Sequence, residues 1–216
     1  MKKIISILFV SIFTASSAFS AGMVGIKLGY GELEATKNAI TNTPAALTEA
    51  AETKDIDHEY GAIFAEVNLG DSPVSLGLEY IPISGTLSVA NGNDTDASLE
   101  LSDHTTLYAL AAKELSNGAS VYGKIGYSMA DIGNVKQSNG TTTINSHSDE
   151  LEGVMAGIGV QSAEFSNLAL VARLEATYTE YDDVSAKTTD ADGLAETKKA
   201  SDINLTTFTV SLGKKF

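Results

Sequence analysis

The 216-residue sequence has no cysteine, no tryptophan and only three prolines. Without cysteine there can be no disulfide, no thiol nucleophile and no lipid-anchored N-terminal cysteine. Positive charge is also scarce. Fourteen Lys and Arg stand against 28 Asp and Glu, giving a formal charge of −14. That balance argues against a nucleic-acid partner, because binding phosphates requires clustered cations. No continuous apolar run reaches ~18 residues, so no helix is predicted to span a membrane. A membrane β-barrel leaves no such run, and the absence does not bear on it. The three histidines, His58, His104 and His147, do not stand at a zinc spacing such as H-E-x-x-H, and no metal or cofactor is expected.

What the sequence does have is alternation. In Asn204–Phe216, one face carries Thr206, Phe208, Val210, Leu212, Lys214 and Phe216, and the other carries Thr207, Thr209, Ser211, Gly213 and Lys215. A period of two with one apolar and one small polar face predicts a strand. It runs to the last residue, an aromatic.

At the other end, Lys2 and Lys3 precede an apolar stretch, Ile4–Phe13, and Ala18-Phe19-Ser20 supplies small residues for cleavage. Residues 1–20 therefore read as a secretory signal peptide, with a short anchor helix as the alternative, and residues 21–216 as the mature domain. Alternation recurs through the mature domain and predicts seven more strands. They are Met23–Gly31, Glu59–Leu69, Pro73–Ile83, His104–Leu115, Ser120–Ala130, one within Asp149–Gln161, and Leu168–Tyr181. In the strand His104–Leu115 both faces are fairly apolar. Its phase is assigned with Thr106, Tyr108, Leu110 and Ala112 outward.

Connections alternate between long and short. The short ones are Gly70–Ser72, Ser116–Ala119 and Ser162–Asn167, and the Asn117-Gly118 pair suits a tight hairpin. The long ones are Glu34–His58, Gly85–Asp103, Asp131–Ser148 and Asp182–Ala200, with a helical turn considered within Ala45–Thr53. Eight strands, three short turns on one rim and four long loops on the other describe an all-β, antiparallel, up-and-down transmembrane barrel. A soluble eight-stranded lipocalin-like barrel shares the period. Three features favour the membrane form: charges at mid-strand on the small-residue face, tyrosines (Tyr30, Tyr60, Tyr80, Tyr108, Tyr127, Tyr178, Tyr181) gathered toward the long-loop ends, and the terminal Phe216.

The signal peptide, the eight strands, the stretch Tyr122-Gly123-Lys124-Ile125-Gly126-Tyr127 and the C-terminal strand together resemble the small eight-stranded outer-membrane β-barrels typified by the transmembrane domain of outer-membrane protein A and by outer-membrane protein X. The resemblance covers residues 21–216, with no second, peptidoglycan-binding domain expected. It implies residence in the outer membrane of a Gram-negative bacterium, among outer-membrane lipids and lipopolysaccharide. It also implies insertion by the barrel assembly machinery, which would read Phe208, Val210, Leu212 and Phe216. Lys214 departs from the apolar or aromatic residue usual at its position.

On the assigned phase, Lys27, Lys113, Lys124 and Arg173 face Glu66, Glu79 and Glu175 inside the barrel. They read either as a pore lining or as an ion-pair network that fills the lumen, since eight strands leave room for little more than side chains. His104 beside Ser102 and Asp103 raises a lipid A-modifying enzyme, but adjacency in a chain is not a nucleophile–base geometry. The acidic loop positions Asp94, Asp96, Glu100, Asp103, Asp182, Asp183, Asp190, Asp192 and Glu196 read as Ca²⁺ or lipopolysaccharide contacts, or as a solvated surface. The expected protein is a non-enzymatic, monomeric outer-membrane barrel that anchors surface loops serving envelope integrity, adhesion or surface interaction. A narrow porin-like channel is the alternative.

Overall fold

A computed structural model describes residues 21–38, 52–82, 85–89, 97–137, 143–165, 167–189 and 195–216. The expected helical turn falls largely outside these residues, as does the signal segment 1–20.

The strands are β1 (Gly22–Asn38), β2 (Glu52–Asn68), β3 (Val74–Ile81), β4 (Gly85–Val89), β5 (Ala97–Glu114), β6 (Ser120–Gln137), β7 (Thr143–His147), β8 (Glu150–Gln161), β9 (Leu170–Tyr181), β10 (Val184–Thr189) and β11 (Ala195–Lys215). Eight of them close in the order β1-β2-β3-β5-β6-β8-β9-β11, with β11 returning to pair with β1, and every pairing is antiparallel. Closure leaves no free edge where hydrocarbon could not satisfy one. At the seam, Gly22 and Phe216 exchange both backbone hydrogen bonds at 3.0 Å. The chain's last residue is thus part of the wall.

The three short turns lie on one rim. In the Asn117-Gly118 turn, Gly118 has φ of 80°. The Ala119 N–H donates to Asn117 Oδ1 at 3.1 Å, and the Leu115 N–H donates to Ala119 O at 2.8 Å.

The outer wall is apolar. Ile26, Leu28, Ile125, Val154, Ile158, Leu174, Phe208 and Val210 are all more than half exposed, and Tyr30, Tyr127 and Tyr178 stand near their loop-side limit. A soluble lipocalin-like barrel would hide this face; a lipid-facing barrel presents it.

Two expectations change. First, the strands run well past the girdle into stretches read as loops. β11 has 21 residues and β5 and β6 have 18 each, where ~9–11 cross a bilayer. Beyond the girdle the wall divides into a crown of two sheets. One is β4-β5-β6; the other is β7-β10-β11-β1-β2. The transition is marked by bulges in β5 and in the β1–β11 pair, where Asp103 (φ 52°) and Asp202 (φ 51°) take left-handed backbone. Asp is among the few non-glycine residues that tolerate that region.

Second, the phase of β5 is the reverse of that expected. Thr106, Tyr108 and Leu110 are buried inside, while Leu107 is 54% exposed on the outer wall. The reason lies across the barrel. Tyr108 Oη donates to Glu66 at 2.7 Å, and Lys124 Nζ sits 3.9 Å from the Tyr108 ring centroid. Outward-facing Ala109 and Ala111 simply give a thin stretch of lipid face. The same reversal places Lys113 outside.

With no natural tryptophan, the phase can be read directly. Leu107→Trp is expected to be strongly quenched by brominated lipid after refolding into vesicles, and Tyr108→Trp weakly. The opposite ranking would restore the expected phase.

Candidate functional site

The lumen is layered, and each layer follows from the inward residues of successive rungs. At the turn-side end, Met23, Phe64 and Val171 form a small buried apolar floor. Phe64 comes from β2, which reads inward at even positions, and the other two from β1 and β9, which read inward at odd ones.

Above the floor lie two ion-pair groups. In the lower, Arg173 bonds Glu66 in bidentate fashion, Nη1 to Oε1 at 2.7 Å and Nη2 to Oε2 at 2.8 Å. Its Nε donates to Gln161 Oε1 at 2.8 Å. The guanidinium also lies 5.6 Å from the Phe64 ring and 5.1 Å from the Tyr122 ring. Planar fork geometry of this kind is specific to arginine.

In the upper group, Lys27 Nζ donates to Glu79 Oε2 at 2.6 Å and to Glu175 Oε1 at 2.7 Å. Lys124 Nζ reaches the same two oxygens at 3.2 Å. Tyr122 Oη donates to Glu175 Oε2 at 3.0 Å and links the two groups. Both are buried, and three cations meet three carboxylates, so the interior charge sums to zero.

Six of the seven residues expected in a lumen network therefore come together: Lys27, Glu66, Glu79, Lys124, Arg173 and Glu175. The seventh, Lys113, is exposed on the opposite face of β5. It was misplaced because its phase was inferred from a strand with two apolar faces. The sequence reading also missed Tyr108, Tyr122 and Gln161, which satisfy the remaining lone pairs and donors. Tyr122 and Gln161 were legible only by their inward parity, and Tyr108 was read outward with the rest of its strand. Room for the phenol rings comes from glycine on the neighbouring strand: a Cβ at Gly77 would overlap Tyr108, and one at Gly159 would overlap Tyr122.

Over the plug the lumen widens into a cavity. Hydroxyls line its lower wall, where Thr106 and Ser128 are 2.8 Å apart, and Thr177 and Thr207 2.6 Å. Four aromatic side chains come next: His58 and Tyr60 stacked at 5.6 Å, and His104 and Tyr181 edge-on at 6.5 Å. His104 Nε2 lies 2.9 Å from Tyr181 Oη. Toward the long-loop side lies a buried apolar cluster that includes Leu33, Ala130, Ile132, Leu151, Ile203 and Leu205.

The three histidines do not form one group. His58 and His104 line the cavity, whereas His147 sits in the crown with Nδ1 2.7 Å from Ser148 O. Asp103 accepts a hydrogen bond from Tyr80 at 2.7 Å, while the His104 ring meets a tyrosine, not Ser102. Among the described residues, no cluster of three or more His, Asp or Glu could hold a metal ion. Of the C-terminal positions, Phe208, Val210, Leu212 and Phe216 all lie on the exposed outer face.

The sequence matches the family model described as outer membrane protein beta-barrel domain over residues 5–216. No curated protein matches it significantly. Among solved structures, outer membrane protein OprG from Pseudomonas aeruginosa superposes with a TM-score of 0.69 at 14% identity, covering 92% of this chain and 97% of that one. The attachment invasion locus protein Ail of Yersinia pestis gives 0.46 at 11% identity, covering 90% and 99%. Neisserial surface protein A gives 0.48 at 11%, covering 88% and 97%.

Removing one member of a buried pair strands its partner, which typically costs about 3–5 kcal/mol. Arg173→Ala is expected to lower the unfolding free energy of refolded protein, read from urea titration, by that order. Arg173→Met combined with Glu66→Met should recover most of the loss, because no lone charge remains. A double variant as unstable as the single would show that the pair is not balanced as described.

Proposed function

The chain belongs to the outer membrane protein beta-barrel domain family, and from that premise we propose that it is a non-enzymatic, non-conducting barrel that anchors an extracellular crown in the outer membrane. The observation that carries this reading is the neutral plug. Six buried charges bond one another above an apolar floor. A permeant ion would have to separate pairs that low dielectric holds together, without compensating water.

Export follows the amino-terminal segment 1–20, and barrel insertion follows the outward Phe208, Val210, Leu212 and Phe216. Lipopolysaccharide and lipid surround the apolar belt, and a closed wall of this kind is sufficient as a monomer. The polar crown strands, paired across the former loop regions, form the surface available for envelope contacts, adhesion or binding outside the cell. A catalytic role has little support. The His104 ring is engaged by Tyr181, and no nucleophile is paired with it among the hydrogen bonds described.

In planar bilayers, refolded protein of verified β content is expected to give no steady single-channel conductance. A reproducible conductance would replace this reading with the porin-like one. Glu66→Gln should produce intermittent openings, because it leaves Arg173 without its charge partner.

A further inference from the structure

The cavity above the plug has a polar requirement that the chain itself does not meet. Among the described residues, three buried side-chain atoms lack a hydrogen-bond partner: His58 Nδ1, His104 Nδ1 and Thr209 Oγ1. All three residues line this one cavity. Buried polar atoms are nearly always satisfied by protein or by water, so these three atoms make the middle of the cavity polar and leave it hydrogen-bonding positions to offer whatever enters.

The wall indicates its chemistry. The rings of His58, Tyr60, His104 and Tyr181 line the space, and aromatic rings attract cations. Glu79 lines the cavity below them. Both plug lysines bond its Oε2, leaving Oε1 out of the plug's bonds. Lys27 and Lys124 are each held between two carboxylates, so the cavity floor offers an anion no uncommitted cation. The apolar cluster above, of which Leu33, Leu151 and Leu205 line the cavity, suits carbon rather than charge.

We propose that this space is a binding cup for an organic ammonium cation, its charged head among His58, Tyr60, His104 and Tyr181 over Glu79 and its carbon substituents toward the apolar cluster. The cup is blind where the plug closes it. Its occupancy is read by binding, independently of whether the barrel conducts. The ligand is either a free small amine or the ammonium headgroup of a lipid, since the recognised chemistry is the same.

The test uses the refolded full barrel in maltoside detergent, which carries no ammonium group. Calorimetric titration compares choline with its uncharged isostere 3,3-dimethylbutan-1-ol. Choline is expected to bind about tenfold or more tightly than the isostere, as one cation–π contact implies. Tyr60→Leu and Tyr181→Leu should each weaken choline about tenfold, while Tyr60→Phe, which keeps the ring, should not. Phosphatidylcholine vesicles are set against phosphatidylglycerol vesicles in a flotation assay. Choline binding in solution identifies a free amine as the ligand, and selective flotation with phosphatidylcholine alone identifies a headgroup. Either supports the cup provided Tyr60→Leu weakens it about tenfold, and binding that Tyr60→Leu leaves unchanged overturns it. Equal affinity for choline and its isostere, or no binding in either arm by protein that keeps heat-modifiable migration and β-sheet dichroism, overturns it.

Discussion

Mutual neutralisation of the charges inside the barrel is the interaction on which the rest of the structure depends. An isolated carboxylate or ammonium in a dry interior carries a desolvation cost of several kcal/mol, recovered only with good geometry and no lone pair left over. Here Lys27 and Lys124 each bridge Glu79 and Glu175, while Arg173 takes both oxygens of Glu66. These residues come from five different strands, Arg173 and Glu175 sharing β9. The pairing is therefore correct only if the register around the barrel is correct. A slip of one residue in any of those strands would turn its charge toward lipid and orphan a partner inside. The plug acts as a register lock as well as a filling.

Glycine and tyrosine complete that lock. The lumen of eight strands cannot hold a bulky side chain at every inward position. Bulk therefore has to be matched by its absence on the next strand, as Tyr108 is matched by Gly77 and Tyr122 by Gly159. The phenols bring hydroxyls to Glu66 and Glu175, satisfying acceptor positions that the cations leave. A glycine on the small-residue face is thus a packing requirement as much as a backbone one.

The membrane barrel was legible in the sequence because period-two alternation is a direct consequence of strand geometry, and because a lipid-facing wall enforces it most strongly. Strands such as β9 and β11, with one apolar and one polar face, have their orientation written into the residues. In β5 the rule has little to act on. Ala109 and Ala111 face lipid, and Leu110 with Tyr108 faces inward, so apolarity does not distinguish the faces. What orients β5 is Tyr108 meeting Glu66 and Lys124, contacts to other strands that a one-dimensional pattern does not contain. Lys113 was misassigned for the same reason. The crown was hidden differently: Val184–Thr189 and Thr143–His147 are short and mostly polar in sequence, with too few apolar residues to set an alternation. They are held by backbone pairing to neighbours remote in sequence, such as Lys187 beside Ser146.

The layering of the lumen has a further consequence. A plug built only to exclude water could fill the barrel to the rim with ion pairs or with small side chains. Instead, pairing stops at Glu79 and Glu175, and above them come hydroxyls, four aromatic rings and then aliphatic carbon. Polarity falls toward the open end while unpartnered polar atoms remain in the middle. Stability alone does not call for that order, since each unpartnered atom costs about 1–3 kcal/mol in desolvation. A site for a cation does: a carboxylate for its charge, π faces for its sides and an apolar entrance that sheds water as the ligand enters. The ion pairs below would then fix the carboxylate in place, so that the same bonds that lock the register also hold the floor of the cup.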